Sequence, residues 1–231
     1  MQRFVEPELL DALPPADPRA AWSRNDLVRV NAWMGHGGLI AWALSATLPG
    51  RAARRVVELG AGDGRFLLRV ARRLSAAWQG TSAVLLDRSR LVAPATERSF
   101  AALGWQTDIV QADALDWVAR PDAPACDAML ANLFLHHFND AQLAGLLCAA
   151  ARHARVFIAA EPRRSKRSLL FSRLLWLIGC NHVTRHDAAV SIRAGFASTE
   201  LSRLWPDGGE WTLRDHPAGW CSHLFIAQRR E

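Results

Sequence analysis

The chain has 231 residues, half of them apolar, which is enough for one α/β domain with an added element and an unstapled core. The net charge of +6 suggests nucleic-acid binding, but the arginines are scattered and only residues 163–167 form a basic cluster. The four cysteines are far apart and form no CxxC pair, so we expect buried small hydrophobic residues and no metal site. Since neither a signal peptide nor a run of about 20 apolar residues is visible, we expect a cytoplasmic protein without stable membrane insertion.

The first 50 residues predict a helical cap or lid, and residues 51–231 a Rossmann-like domain. Asp17, followed by proline, is typical of a helix start, and apolar residues then recur at helical spacing. The segment Gly35-His36-Gly37-Gly38 interrupts this pattern. A second, largely apolar helix is predicted over Leu39–Leu48.

Short apolar segments then alternate with helical ones, which predicts a parallel sheet with right-handed crossovers. The predicted strands are Arg55–Leu59, Ser82–Asp87, Asp108–Gln111, Ala125–Ala131 and Arg155–Ala160. The predicted helices are Arg65–Trp78, Leu91–Leu103 and Ala141–His153, followed by Asp187–Ala194 and Thr199–Trp205. Two further strands, Glu210–His216 and Trp220–Gln228, predict an antiparallel hairpin at the sheet edge.

A glycine-rich loop follows the first predicted strand, with glycines at every second position after an acidic residue, Glu58. Gly60, Gly62 and Gly64 suit a tight turn with positive φ and a ligand that approaches the backbone closely. A bare phosphate would not favour the acidic Glu58. The spacing differs from the GxGxxG of dinucleotide-binding proteins, and the loop lacks the Gly-Lys-Ser/Thr of a Walker motif.

Polar residues follow the next three strands, and ligands of open α/β sheets bind at this edge. Asp87 ends the second strand, where a carboxylate can accept hydrogen bonds from two ribose hydroxyls. Asp113 follows the third strand, where it can accept from an adenine amino group. Asn132 ends the fourth strand and leads into Leu135-His136-His137-Phe138.

This ordered series, from about Val56 to Ala160, resembles the motifs of class I S-adenosylmethionine-dependent methyltransferases. The resemblance implies a Rossmann-like, mostly parallel seven-stranded sheet with helices on both faces and a reversed C-terminal hairpin, and S-adenosyl-L-methionine as cofactor. In this interpretation the glycine loop and Glu58 hold the methionine portion, Asp87 the ribose, and Asp113 the adenine. The implied cofactor-binding residues are Glu58, Gly60, Ala61, Gly62, Gly64, Asp87, Arg88, Asp113, Ala114 and Asn132.

Two sets of residues are candidates for the catalytic base. A histidine titrates near neutrality, so His137 can deprotonate an acceptor hydroxyl, although the His136–His137 pair can equally pack locally. The alternative is the pair of His186 and Asp187, for which the structural interpretation is that Asp187 caps the following helix.

The resemblance implies methyl transfer, on oxygen or carbon, to a small, largely apolar acceptor, for which phenolic and polyketide-like compounds are candidates. The alternatives are an RNA methyltransferase, supported only by the charge, and a catalytically inactive cofactor-binding partner protein. The apolar segment 169–178, preceded by the basic cluster, has three interpretations: core packing, a pocket for an apolar acceptor, or contact with an anionic membrane surface. Trp22, Trp33 and Trp42 are candidates for an aromatic wall over the acceptor site.

Overall fold

The structure, a computed structural model, describes residues 1–14, 16–49, 55–74, 76–206 and 209–230. A seven-stranded sheet has the order β3-β2-β1-β4-β5-β7-β6, and β7 runs antiparallel to both of its neighbours. The strands are β1 (Arg55–Leu59), β2 (Ser82–Asp87), β3 (Gln106–Gln111), β4 (Cys126–Asn132), β5 (Ala154–Pro162), β6 (Trp211–Ala218) and β7 (Ser222–Arg229). The parallel sheet and its reversed hairpin are therefore confirmed.

Helices precede the sheet and connect its strands. They are α1 (Leu9–Ala12), α2 (Pro18–Met34), α3 (His36–Thr47), α4 (Arg65–Ala71), α5 (Pro94–Ala102), α6 (Ala114–Ala119), α7 (Asp140–His153), α8 (Lys166–Ser172), α9 (His182–Ala194) and α10 (Glu200–Leu204). Short 3-10 helices cover Ala76–Trp78, Leu135–His137 and Arg173–Ile178. Within the described residues, none of the helices has the length and apolarity needed to cross a bilayer.

The sheet has an apolar core on each face, because successive side chains of a strand point to opposite sides. Val57 and Leu59 of β1 contribute to the core that includes α6 and α7. Val56 contributes to the opposite core, which includes α4 and also Leu44 of α3. Helix α3 is thus part of the main core rather than only a cover over it. The predicted boundary between cap and domain, between residues 50 and 51, lies outside the described residues and remains a prediction.

Several predicted boundaries were wrong for identifiable reasons. Helix α3 begins at His36 rather than Leu39, because the turn is made by Gly35 alone, with φ of 70°, and Gly37 and Gly38 continue as part of the helix. Helix α9 begins at His182, and Asn181 caps it by accepting from the Thr184 amide at 2.8 Å. Asp187 is therefore not the cap of that helix. Among the cysteines, Cys148 is exposed rather than buried.

Candidate active site

A cavity of about 980 Å³ extends from the glycine loop and the ends of the parallel strands to the N-terminal residues and α9. One end is polar, with Gly62, Asp87 and Asp113 among the residues that line it. The other end is apolar, where Met34 and Ile192 contribute to the walls. A volume at the upper end of the usual range for ligand sites gives room for two small ligands side by side.

Three glycines shape the loop at the polar end, and each has positive φ: 67° at Gly60, 54° at Gly62 and 72° at Gly64. A Cβ on Gly60 would lie 2.3 Å from the Phe134 ring, so this glycine is required by packing. A Cβ on Gly62 would meet no protein atom within 4 Å. Since Gly62 also lines the cavity, its missing side chain leaves open space where a ligand can approach the backbone.

Asp87 connects the loop to the end of β2. Its Oδ2 accepts from the Gly62 amide at 2.9 Å and its Oδ1 accepts from the Ser89 amide at 2.8 Å. A carboxylate has about four lone-pair sites, so each oxygen can accept one further hydrogen bond. Asp87 is thus held rigidly and retains acceptor capacity toward the cavity that it lines.

Asp113 and Arg88 form an ion pair beside this end of the cavity. The Arg88 Nε donates to Asp113 Oδ2 at 2.7 Å, and Asp113 Oδ1 caps α6 by accepting from the Leu115 amide at 2.7 Å. Partial burial opposes ionisation of Asp113, but the Arg88 and Leu115 hydrogen bonds outweigh it and lower the pKa of that carboxyl. Ala114 follows directly, buried in the first turn of α6.

Glu58 lies beneath the loop. Its side chain is buried on the α4 side of the sheet, where the Leu67 backbone amide donates to it. Burial, together with the charges of Asp63 and Asp87, raises the pKa of Glu58 well above its ordinary value. Its Oε2 is buried without a hydrogen-bond partner among the described residues. Ala61 lies nearby, with its amide bonded to the Leu86 carbonyl at 2.9 Å.

Asn132 belongs to a network that joins the cap helices to the sheet, and sequence reasoning missed its partners. Its Nδ2 donates to Asn31 Oδ1 at 2.9 Å, and its Oδ1 lies 2.7 Å from Nδ1 of His36. The His36 Nε2 lies 2.8 Å from the Ser222 hydroxyl. Burial lowers the pKa of His36 despite the bond with Asn132, which favours a neutral ring. The next residue, Leu133, has φ of 50° and lines the cavity.

The buried imidazole of His136 lies between two carboxylates. Its Nδ1 lies 2.8 Å from Glu161 Oε2, and its Nε2 lies 3.3 Å from Glu8 Oε1. Burial alone would lower the pKa of His136, but the hydrogen bonds and charges of Glu161 and Glu8 raise it to about 9. Ligand atoms of Glu8, His136 and His137 lie within 4.8 Å of one another, a spacing suited to a metal ion. When the imidazole is protonated, as its raised pKa favours, the contacts of His136 with Glu161 and Glu8 form an ion-pair network.

The first residues form an N-terminal strap (residues 1–13) along one wall of the cavity. Both carboxylate oxygens of Asp187 hold it, accepting from the Leu9 and Leu10 amides at 2.9 and 3.0 Å. Near the beginning of the strap, the Arg3 guanidinium donates a hydrogen bond to the Phe138 carbonyl at 2.7 Å. Asp187 therefore binds the strap with the oxygens that a catalytic pair would need.

The two candidate bases have different surroundings. His137 lines the cavity with 28% of its side chain exposed, and its Nδ1 lies 3.4 Å from Asp11 Oδ2 of the strap. His186 does contact Asp187, at 3.0 Å, but it is 49% exposed and is not among the described residues that line the cavity. The structure brings His137, and not His186, to the space between the polar and apolar ends.

The apolar end is built from α2, α9 and the segment after α8. Trp33, Met34, Leu175 and Ile192 contribute to its walls. Of the three tryptophans expected to form an aromatic wall, only Trp33 lines the cavity, whereas Trp22 and Trp42 are exposed on other faces of their helices.

We expect the contribution of His136 to stability to disappear at high pH. Its folded pKa of about 9 exceeds its ordinary value of 6.5, so this contribution is complete below pH 6.5 and is lost as the pH rises through 9. Glu8 acts in the opposite direction, because its pKa of about 2 lies below 4.5, so its contribution is lost only as the pH falls toward 2.

Urea unfolding of wild type and His136→Asn at pH 6.5 and at about pH 10 tests this expectation. The difference in unfolding free energy between the two proteins should shrink at the higher pH. A difference that stays constant would contradict a protonated His136.

Residues 56–156 match the family described as "Methyltransferase domain". Among curated proteins, no sequence matches the chain. Solved structures share its fold at low identity. The plantazolicin methyltransferase BpumL, in complex with SAH, superposes with a TM-score of 0.67 at 11% identity, covering 93% of this chain and 92% of that one.

Two further similar structures are longer than this chain. An O-methyltransferase family protein from Burkholderia thailandensis has a TM-score of 0.63 at 18% identity, covering 94% of this chain and 61% of that one. The dimethyltransferase RosA from Streptomyces davawensis has a TM-score of 0.58 at 17% identity, covering 97% and 62%. The chain thus spans about three fifths of these two relatives. Residues 56–156 thus match a methyltransferase domain, and the seven-stranded fold of the chain is similar to that of solved methyltransferases.

Proposed function

We propose that this chain is a methyltransferase that acts on a hydroxyl group of a small, largely apolar acceptor. The observation that carries the proposal is the continuous cavity, which has a polar end at the glycine loop, an apolar end under Trp33 and Met34, and His137 between them. A methyl donor and an acceptor bound in such a cavity are held side by side and shielded from water.

The residues at the polar end fit the cofactor. Gly62 leaves space that a Cβ would fill, Asp87 retains acceptor capacity for ribose hydroxyls, and Asp113 offers its carboxylate for an adenine amino group. Glu58 lies beneath the loop and has one buried carboxyl oxygen without a hydrogen-bond partner among the described residues. This supports a role for Glu58 in supporting the loop below the cationic amino group of the bound cofactor. We assign Asn132 a structural role, because its side chain is bonded to Asn31 and His36 and is not among the described residues that line the cavity.

Held by these residues, S-adenosylmethionine would supply an electrophilic methyl group; the acceptor oxygen would bond to that carbon as its bond to sulfur breaks, with the electron pair remaining on sulfur. A phenolic hydroxyl has a pKa near 10, so it must lose its proton before or during attack. We assign this proton to His137, because it lines the cavity and Asp11 contacts its other side. Glu161 and Glu8 raise the pKa of His136 to about 9, which disfavours the neutral ring that a base needs, so we do not assign the proton to His136.

The similar structures support a small-molecule acceptor. One is described as an O-methyltransferase family protein, and BpumL has been solved with a monoazolic desmethylPZN analog and SAH. An activated carbon would need less base strength than a hydroxyl, so the contact between His137 and Asp11 favours oxygen over carbon.

Turnover with a panel of acceptors tests the proposal. Purified protein and S-adenosylmethionine are incubated with alkyl-substituted phenols, with their O-blocked counterparts and with a short RNA, and release of S-adenosylhomocysteine is measured. We expect release only with free hydroxyls and faster turnover as the apolar substituent grows. Turnover of RNA alone would overturn the proposed acceptor, and tight cofactor binding without any turnover would indicate an inactive protein.

A further inference from the structure

The wall at the apolar end of the cavity, where we propose that the acceptor binds, has a second apolar side that faces solvent. The segment from α8 through the following 3-10 helix turns Ser168, Ser172 and Leu175 toward the cavity. Its other side exposes large apolar residues to solvent, with exposed fractions of 61% for Leu170, 59% for Trp176 and 60% for Leu177. Leu174 and Ile178 are exposed as well. One short segment therefore separates the cavity from an apolar outer surface.

Aromatic rings extend this surface to the rim of the cavity. Phe171 contacts the exposed Trp220, with ring centroids 4.9 Å apart, and lies 6.4 Å from Trp33. Trp33 is itself half exposed and also lines the cavity. We call this set the apolar face: Leu170, Leu174, Trp176, Leu177, Ile178, Trp33 and Trp220. Several large exposed apolar side chains on one segment, connected through Phe171 to Trp33 and Trp220, indicate an interaction surface rather than scattered surface residues.

Basic side chains border the apolar face. Arg173, Arg185 and Arg193 surround a second pocket of about 360 Å³ between α8 and α9, together with Leu169 and Ser172. No carboxylate of the described residues forms an ion pair with any of these three guanidinium groups. Lys166 and Arg167 are exposed at the start of α8. Three guanidinium groups around one recess make a site for an anion such as a phosphate ester.

We propose that this face binds the surface of an anionic phospholipid bilayer, with tryptophan and leucine side chains in the interfacial region and a lipid phosphate in the arginine pocket. Apolar and aromatic side chains bordered by Lys and Arg are the pattern of interfacial membrane binding. A second copy of this chain fits poorly, because it has the same basic border and a net charge of +6. RNA phosphates would bind the arginines, but RNA binding would not explain the exposed aliphatic side chains beside them.

Binding in this orientation places the acceptor end of the cavity against the membrane. Trp33 belongs both to the apolar face and to the cavity lining, so an apolar acceptor dissolved in the bilayer would enter past it. This delivery rests on the proposed function, whereas membrane binding does not.

Vesicle sedimentation without an acceptor tests the binding alone. The full chain is mixed with phosphatidylcholine vesicles or with vesicles containing about 30% phosphatidylglycerol, at low and high salt. We expect sedimentation only with the anionic vesicles, weakened by salt, with a blue shift of tryptophan emission.

Trp176→Ser combined with Leu177→Ser should weaken binding more than tenfold. Arg173→Gln and Arg185→Gln should each weaken it about fivefold.

Two variants serve as matched controls. Trp42→Ser removes an exposed tryptophan of α3, and Arg98→Gln removes an exposed arginine of α5, which packs beside β3. Both should bind like wild type, and thermal unfolding and S-adenosylmethionine affinity should be unchanged in every variant. Equal sedimentation with neutral vesicles, none with either kind, or RNA binding that is insensitive to the Trp176 and Leu177 changes would each overturn the proposal. Loss of acceptor turnover with intact vesicle binding would instead refute only the proposed function.

Discussion

Replacing Asp87 with alanine is expected to weaken S-adenosylmethionine binding by a factor of a hundred or more while the protein remains folded. Hydrogen bonds to a charged group contribute about 1.5–3 kcal/mol each, so losing two ribose hydroxyl contacts costs about 3 kcal/mol or more. The change also releases the Gly62 amide, which Asp87 Oδ2 holds at 2.9 Å. Titration calorimetry with S-adenosylmethionine measures the loss.

Two further variants separate charge from loop structure. Asp87→Asn keeps one carbonyl acceptor for a backbone amide and should lose less affinity than the alanine variant. Gly62→Val fills the open space and strains a residue with φ of 54°, so it should abolish binding while Asp87 stays in place. Asp108→Ala, an exposed acid on β3, is the control for the loss of one charge. Wild-type affinity in both Asp87→Ala and Gly62→Val would contradict the placement of the cofactor.

The polar end of the cavity could be predicted from the sequence because its determinants are local. Parallel strands bring their carboxyl ends to one edge, so residues placed directly after each strand meet there whatever the crossovers contain. Asp87 and Asp113 do both line the cavity, 26 positions apart in sequence. The spacing of the glycines likewise required positive φ, and all three have it.

The closure of the cavity could not be predicted in this way, because it depends on contacts between distant segments. Asp187 follows a histidine in sequence and therefore suggested a catalytic pair, yet its oxygens hold amides of Leu9 and Leu10, more than 170 residues away. The sequence predicted that His36 lies in an interruption between two helices. In the structure His36 is the first residue of α3, and its ring contacts the side chain of Asn132. No periodicity or motif encodes such pairs.

The same limit explains the surface next to the acceptor end. The sequence showed an apolar segment after basic residues but gave no indication of which side chains the fold would bury. In the structure Leu175 is buried while Trp176 and Leu177 of the same 3-10 helix are exposed. Arg185 and Arg193, which come from α9, complete the basic border only once the two helices pack together.

Replacing His137 with alanine is expected to lower kcat by a factor of about 10²–10⁴, the usual contribution of a general base, with S-adenosylmethionine affinity unchanged. Asp11→Asn should reduce the rate less, because Asp11 contacts His137 only from the strap, at 3.4 Å. Steady-state kinetics with a phenol that turns over measures both effects.

His186→Ala is the matched control, since it removes the other candidate base. That side chain is half exposed outside the cavity, so the variant should retain nearly wild-type kcat. If His186→Ala lost activity and His137→Ala kept it, the exposed pair with Asp187 would be the base, and the strap would have to leave Asp187 during turnover. If both variants kept wild-type kcat, neither histidine would take the proton, and an acceptor that ionises without a base, or an activated carbon, would replace the hydroxyl proposed above.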